Sequence, residues 1–426
     1  VALSRIMRLN HLSLTNFRNF ARLDVDVPSG PVLLVGGNAQ GKTSLLEAVY
    51  FLATMVSFHA SADRELINLL AIREPLAVAR IVADFTRQEE LPGPGSQRLA
   101  PRPASTHRME VRLIAENGGF NGSSRTRKEV LLDGVKVKLS EAVGAFNAVL
   151  FLPQMLRIVE GSPEERRRYL NLTLAQVLPR YATVLSHYSR TLTQRNALLK
   201  QLAERGGDES ELAYWDERLA VYGSQLVHAR IQSIRELEQL AARMHSHLTR
   251  GKEVLRLDYQ PAFDPLSRRA NQYTLPLEAP VDRSGLSLEK IQQGFLECLQ
   301  KLHREEIARG VTTVGPHRDE LRFLGNGIDL GTYGSRGQAR SAMLSMKLAE
   351  VDWMKAKSGQ WPVLLLDEVL AELDTDRRDD LLARLLTSDQ ALLTTTDLDL
   401  FSEEFSNRSS IWYIRAGRLE EANRES

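Results

Sequence analysis

Cysteine is nearly missing from this chain: Cys298 stands alone among 426 residues. That excludes an internal disulfide framework and a cysteine-built zinc site, and it suits a reducing compartment. Cys298 itself is expected to be a small buried hydrophobe. The nine histidines form no clustered ligand set, so His317 is expected to brace a turn rather than to bind metal. Also missing is any apolar run near the roughly 18 to 20 residues that a membrane span needs, and the first residues lack a signal peptide's apolar region. A cytoplasmic protein without membrane contact is expected, starting at Met7 or by an unusual initiation at Val1. Net charge is small as well, at +1.

That near-neutrality hides a segregation. Residues 151–200 carry a net charge of +5 and residues 351–426 one of −7. A basic region on a near-neutral protein permits contact with nucleic acid without proving it. The length allows roughly two to three domains, and 43% apolar with 26% charged residues is ordinary for a globular chain.

Two distant stretches carry the chemistry. Pro31 to Val35 is a continuous apolar run of the kind buried in a parallel sheet. It feeds Gly36-Gly37-Asn38-Ala39-Gln40-Gly41-Lys42-Thr43-Ser44, after which Leu45, Leu46, Val49 and Leu52 recur at helical spacing. A glycine loop between a strand and a helix is the context of a phosphate-binding loop. Its backbone N–H groups and the helix N-terminus hold phosphate oxygens. Lys42 is expected to reach the β- and γ-phosphates, Thr43 to ligate Mg²⁺, and Ser44 to turn a hydroxyl toward the α-phosphate.

The second stretch is Val363 to Leu366, another buried-strand run, ending in Asp367-Glu368. Asp367 is placed to hold Mg²⁺, and Glu368 to orient or deprotonate an attacking water. Ahead of it, Ser335-Arg336-Gly337-Gln338 opens an amphipathic stretch, a second anion site at a helix N-terminus. The chain already has one phosphate loop, so this cradle makes best sense reaching the γ-phosphate bound by a partner subunit. Behind come Ala371-Glu372-Leu373-Asp374 and Leu392-Leu393-Thr394-Thr395-Thr396-Asp397, a buried switch strand ending in hydroxyls and a carboxylate. Signature, carboxylate strand, Leu-Asp turn and switch strand follow one another as in ABC-type ATPases, a far more specific signal than any one motif. Thr395, Thr396 and Asp397 stand where such ATPases often place a switch histidine.

With these pieces in order, the chain resembles the RecF family of SMC-type ATPases. The resemblance is carried by Leu14-Thr15-Asn16-Phe17-Arg18-Asn19-Phe20, the glycine loop with Leu46-Glu47-Ala48, Ser57 to Ile67, and Val149 to Pro153 with Gly161 to Arg168. Thr312-Thr313-Val314-Gly315-Pro316-His317-Arg318-Asp319-Glu320-Leu321 and Ser335 to Arg340 add to it. It implies ATP and Mg²⁺ as cofactors, an ATP-dependent homodimer, and weak DNA-stimulated ATP hydrolysis. It also implies binding of double-stranded DNA and single-/double-strand junctions, with RecR and RecO as partners in loading RecA at gaps. There are departures. Gln154-Met155 stands where the family usually carries an acidic pair, near where ABC heads place a glutamine that senses Mg²⁺ and γ-phosphate, so Gln154 is a candidate for that role. Gln154, Asp374, Thr396 and Asp397 are the sensing candidates, with Thr43, Asp367 and Gln154 around the metal. Glu368, where the family often has a second Asp, follows the wider ABC pattern. Ser57-Phe58-His59-Ala60-Ser61 lacks the usual Arg-Thr, and no role is assigned to it.

Between the halves, Val78 to Phe85, Met109 to Ala115 and Glu129 to Leu132 read as antiparallel strands, and residues 92–108 as a flexible insertion. From Gly161 to about Leu302 the spacing turns helical, broken at Gly206-Gly207 into an antiparallel hairpin. An arm of about twenty residues is only about 30 Å long, too short to bridge distant DNA segments. Arg166, Arg167, Arg168, Arg190, Arg195 and Lys200 are candidate contacts to DNA phosphates, although Arg195 lies on the apolar seam, where an internal partner is the alternative.

The expected fold is α/β, a P-loop ABC/SMC-like ATPase head with an inserted helical lobe carrying a short antiparallel arm. Residues 1–154 make the N-terminal part of the head, 155–305 the helical lobe, and 306–426 the C-terminal part. The competing functions are an SMC-like ATPase subunit and a stand-alone catalytic ABC-type ATPase without a role at DNA gaps.

Overall fold

The structure is a computed structural model that describes residues 7–88, 104–116, 125–266 and 280–421. In chain order it holds β1 (Met7–Phe17), β2 (Phe20–Asp26), β3 (Gly30–Val35), α1 (Lys42–Thr54), β4 (Leu76–Arg87), β5 (Ser105–Glu116), β6 (Arg125–Leu132), β7 (Val135–Val137), α2 (Leu139–Ala142) and β8 (Ala148–Phe151). A largely helical stretch follows with α3 (Leu156–Glu160), α4 (Pro163–Val177), α5 (Tyr181–Arg205), α6 (Leu212–Leu248), β9 (Leu255–Gln260) and α7 (Leu288–Arg309). Then come β10 (Glu320–Gly325), β11 (Ile328–Asp329), α8 (Leu330–Tyr333), α9 (Arg336–Ser358), β12 (Val363–Asp367), α10 (Thr375–Leu385), β13 (Gln390–Thr395), α11 (Glu403–Asn407), β14 (Ser410–Arg415) and β15 (Arg418–Glu421). The chain divides into two units, Val1–Pro153 with Met354–Ser426, and Gln154–Trp353.

The first unit contains two sheets. Val32 to Val35, Ala148 to Phe151, Val363 to Asp367 and Gln390 to Thr395 are buried without alternation, as strands of a sheet covered on both faces must be. Their sheet runs β15-β14-β3-β13-β12-β8, parallel except for the edge strand β15. This order brings the distant halves together. β3, which feeds the glycine loop, and β12, which ends in Asp367, lie on either side of β13. The second sheet, β2-β1-β4-β5-β6-β7, is an antiparallel array. The three strands expected between the halves lie within β4, β5 and β6. The expected insertion over 92–108 is too long: β5 begins at Ser105 and pairs with Arg87, while residues 92–103 lie outside the described residues.

In the second unit, α4 starts on a full capping box. Ser162 and Glu165 satisfy each other's backbone N–H, with Pro163 in the first turn. α5 and α6 form the expected hairpin, and the break falls at Gly206 (φ +68°) and Gly207 (φ +146°), conformations that glycine adopts without strain. Leu198, Leu199, Leu202 and Leu212 close its end, with Trp215 and Ile307 packed against them. The helices hold 25 and 37 residues, so they reach about 38 and 55 Å at 1.5 Å per residue, longer than expected. The helical spacing to Leu302 is also corrected. β9 interrupts it, with Leu255, Leu257 and Tyr259 buried in alternation, and joins the sheet β11-β10-β9.

The Gly-Pro-His-Arg-Asp block is a joint within this unit, with Gly315, Pro316 and Asp319 buried and Arg318 exposed. Asp319 accepts hydrogen bonds from Arg230 (2.6 Å), the Ala262 N–H (2.9 Å) and the Tyr259 hydroxyl. His317 Nδ1 lies 2.7 Å from the Tyr188 hydroxyl and Nε2 3.2 Å from the Thr312 carbonyl. That pattern fits a neutral ring accepting from Tyr188 and donating to Thr312. Burial pushes its pKa down from 6.5 to about 4. Below pH 6.5 the unfolded chain takes up a proton that the folded one refuses, so this contribution to stability is lost as pH falls and levels off near pH 4. Between pH 7 and 5 the loss is expected to be about 2 kcal/mol. Urea unfolding of His317→Asn at both pH values should show that much less acid sensitivity than wild type. An equal pH dependence in both proteins rejects the assignment.

Candidate nucleotide site

The glycine loop begins where β3 ends. A Cβ at Gly36 would strike the Ile414 carbonyl, and Gly41 has φ +120°, so both positions require glycine. α1 starts at Lys42 and is buried along Leu45, Leu46, Ala48, Val49, Phe51 and Leu52, which fixes the loop against the core. Lys42 is 4% exposed. Its ammonium has three donors and three acceptors nearby, the Gly36 carbonyl at 2.6 Å, the Gly37 carbonyl at 3.1 Å and Glu368 Oε1 at 3.3 Å.

Across β13, Asp367 receives the Thr43 hydroxyl at 2.9 Å on Oδ1 and 3.0 Å on Oδ2. Thr394 donates to the same Oδ1 at 2.7 Å and accepts the Glu368 N–H at 3.0 Å. Glu368 is held at φ +52°, a left-handed conformation that costs a non-glycine residue energy and marks functional sites. The structure therefore brings Lys42, Thr43, Asp367 and Glu368 into one cluster at the C-terminal edge of the parallel sheet, where α/β folds bind ligands. A cleft of about 1200 Å³ opens beside it, lined by residues 37–44, Glu368, Arg18 and the segment Ala62 to Ile72. The Thr43 hydroxyl and the Asp367 carboxylate are hard oxygen donors, the type that Mg²⁺ takes. Among the described residues no group of three or more His, Cys, Asp or Glu side chains could hold a metal ion.

Thr394 was not foreseen. The switch strand directs attention to Thr395, Thr396 and Asp397, but pairing register sets Thr394 opposite Asp367. Thr395 bonds the Asp397 backbone instead, and Thr396 and Asp397 are exposed. Arg18, Glu47 and Ser57 are a second unforeseen group. Arg18 grips the buried Glu47 of α1 with two bonds of 2.7 and 2.8 Å, Ser57 donates to Glu47 at 2.5 Å, and Arg18 also holds the Glu65 carbonyl at 3.0 Å. This ties the wall of the cleft to the helix that carries Lys42. A charged residue such as Glu47 amid the buried positions of α1 was the available signal.

Asp374 is the N-cap of α10: it accepts the Arg377 N–H at 3.0 Å and pairs with the Arg377 guanidinium at 2.8 Å. Gln154 is exposed in the turn Pro153–Met155 and belongs to the second unit. In that unit too, Ser335 and Gln338 form a reciprocal capping box at the start of α9, with bonds of 3.0 and 3.2 Å. Ser335, Arg336 and Gly337 are exposed there. Of the basic residues, Arg195 is fully buried between Asp216 (2.7 Å) and Glu306 (2.6 Å), so it is no DNA contact. Arg166 is committed to Glu320 and Arg167 to the Asp319 carbonyl. Arg168, Arg190 and Lys200 are exposed, Lys200 lying 3.8 Å from Glu204. Cys298 is half-buried, and burial pushes its thiol pKa up, so it is a poor thiolate.

A phosphate loop and a carboxylate strand flanking one switch strand, with a helical unit inserted between them in sequence, define an ATPase head of the SMC and ABC type. The family model for the RecF/RecN/SMC N terminal domain matches residues 8–415. Within that class the chain belongs to the RecF family of DNA replication and repair proteins. It is 39% identical to DNA replication and repair protein RecF of Roseiflexus castenholzii, over 97% of this chain and 99% of that one. With the protein of the same name from Chloroflexus aurantiacus it shares 40%, over 94% and 96%. Among solved structures, one described as the recombination mediator protein RecF-ATPrS in the RecFOR pathway matches with a TM-score of 0.79 at 27% identity, covering 98% of this chain and 99% of that one. A RecF-ATP structure matches with a TM-score of 0.78 at 26% identity, over 98% and 99%.

Proposed function

We propose that this chain is an ATP-dependent clamp on duplex DNA that acts in replication and recombinational repair. The observation that carries the proposal is the cluster of Lys42, Thr43, Asp367 and Glu368 beside the cleft, in a chain whose solved relatives are described as RecF with ATP or ATPrS. The backbone of Gly36 to Gly41 and the hydroxyls of Thr43 and Ser44 bind the nucleotide phosphates. Lys42 exchanges a present acceptor for the β- and γ-phosphates. Thr43 and Asp367 would hold Mg²⁺. The ion's chemistry is to neutralise charge on the phosphates. Glu368 activates water, and Asp374, Thr396 and Asp397 sense the γ-phosphate.

Two copies close on ATP, the Ser335-Arg336-Gly337-Gln338 turn of each, exposed from Ser335 to Gly337, completing the other's site, and slow hydrolysis releases them. In this division residues 1–154 and 306–426 supply the head and residues 155–305 the lobe with its arm. DNA phosphates meet exposed bases such as Arg168, Arg190 and Lys200, so retention weakens as salt rises. Single-/double-strand junctions are the preferred DNA, and RecR and RecO are the partners through which RecA is loaded at gaps, in keeping with a relative placed in the RecFOR pathway. The full-length similarity to replication and repair proteins favours this over an SMC-like ATPase subunit or a stand-alone ABC-type ATPase.

Sedimentation with and without ATP and Mg²⁺ tests the clamp. Ser335→Arg is expected to bind nucleotide within about twofold of wild type yet remain monomeric, because a bulky charge desolvated in a closing interface is strongly repulsive. Normal ATP-dependent dimers of Ser335→Arg reject the trans assignment. Wild type and Glu368→Gln that both stay monomeric reject the clamp.

A further inference from the structure

The apex of the phosphate loop is gripped by two turns. The Gln40 carbonyl accepts the Asn19 side-chain N–H at 2.9 Å and the Gly417 N–H at 3.0 Å. The Gln40 side-chain oxygen accepts the Ala416 N–H at 2.7 Å. Two turns far apart in sequence thus converge on one residue, the β1–β2 turn bearing Asn19 and the β14–β15 turn bearing Ala416 and Gly417. The fit leaves no slack: a Cβ at Gly417 would strike the Asn19 carbonyl, and one at Gly41 would lie 2.6 Å from the Asn19 side-chain nitrogen. Ala416 and Gly417 both have positive φ, 47° and 71°, which turns both of their N–H groups onto Gln40.

In a planar trans peptide the C=O and the following N–H point in opposite directions. Fixing the Gln40 carbonyl toward the two turns therefore fixes the Gly41 N–H on the other side. That N–H is one of the donors a phosphate loop offers, and its direction cannot drift while both turns hold the carbonyl. We propose that Asn19 and the β14–β15 turn are positioning elements that preorganise the phosphate loop and set nucleotide affinity through the Gln40–Gly41 peptide. The inference rests on the reading of this loop as the nucleotide site. Asn19 also lines the cleft, whereas Ala416 and Gly417 do not, and this separates positioning from direct contact.

The test uses the full chain with Mg²⁺ and the fluorescent analogue mant-ATP, in wild type, Asn19→Asp, Gln40→Leu, Gly417→Ala and Lys42→Ala. Each of the first three variants removes or displaces a contact on the loop. Each is expected to weaken binding about three- to tenfold, the range of one or two neutral hydrogen bonds. In Asn19→Asp and Gly417→Ala, which change the two turns and not the phosphate loop, turnover at saturating ATP should stay within about twofold of wild type, because the turns order the loop before binding and take no part in the chemistry. A general loss of structure would lower turnover as well, so the split between KM and kcat distinguishes the two. An effect in Asn19→Asp alone, with Gln40→Leu and Gly417→Ala at wild-type affinity, means that Asn19 touches nucleotide directly and overturns the brace. Full affinity in all three, with binding lost in Lys42→Ala, sinks the brace and leaves the nucleotide site standing. A wild-type chain that binds no mant-ATP sinks both.

Discussion

Glu368→Gln should slow ATP turnover by about two to four orders of magnitude, the usual contribution of a positioned general base, while nucleotide binding survives. Glu368 follows directly on β12. Its backbone is left-handed at φ +52°, with its N–H on the Thr394 hydroxyl at 3.0 Å, so the side chain departs from the line of β12. Its carboxylate, 44% exposed and 3.3 Å from the Lys42 ammonium, is open to water. Asp367, beside it, is fixed: its oxygens receive Thr43 and Thr394 at 2.7 to 3.0 Å. Of two adjacent carboxylates one is fixed and one is accessible, which divides the labour between holding and proton transfer. Glutamine keeps the size of Glu368 and removes its basicity. It also releases Lys42 from an ion pair, so affinity for the phosphates should not fall. If ATP closes two copies, the variant dimer should outlast the wild-type one in sedimentation. Steady-state phosphate release measures the turnover, and an unchanged rate removes Glu368 as the base.

The features legible in the sequence were those that a single segment encodes. Val32 to Val35 and Val363 to Leu366 are apolar without alternation because both faces are covered, and the glycines of the loop are required by sterics at Gly36 and Gly41. Partners chosen by the fold were not legible. Thr394 is one of three consecutive threonines, and only the β12–β13 register selects it for Asp367. The Arg18–Glu47 pair spans 29 residues and the grip of Gln40 on Ala416 spans 376, separations over which local spacing carries no information. Arg195 shows the same limit from the other side. Its seam position raised the alternative of an internal partner, but naming Asp216 and Glu306 required the packing of α5, α6 and α7. β9 was missed because six residues of alternation are short against the long helical periods on either side.

The other large effect belongs to the joint around Asp319, where Asp319→Ala is expected to destabilise the second unit by about 3–5 kcal/mol. Asp319 and Arg230 are each 1% exposed, and the pair is bonded at 2.6 Å. Arg230 is shared further with the Pro316 carbonyl at 2.6 Å and Asn171 at 2.9 Å. Burial first, and then the Asp319 charge, push the Tyr259 phenol well above its ordinary pKa, so Tyr259 remains a donor to that carboxylate. Removing the carboxylate leaves the buried Tyr259 hydroxyl and the buried Arg230 guanidinium charge with fewer acceptors, and it is this uncompensated charge that sets the size of the loss. Arg230→Met alone strands the carboxylate and should cost a similar amount. The double variant removes both charges at once, so it should cost less than the sum of the two single changes by more than about 1 kcal/mol. Urea midpoints for the four proteins at pH 7 give this coupling directly. If the two single costs simply add, the pair does not hold the joint, and the Tyr259 and Ala262 hydrogen bonds must carry Asp319 instead.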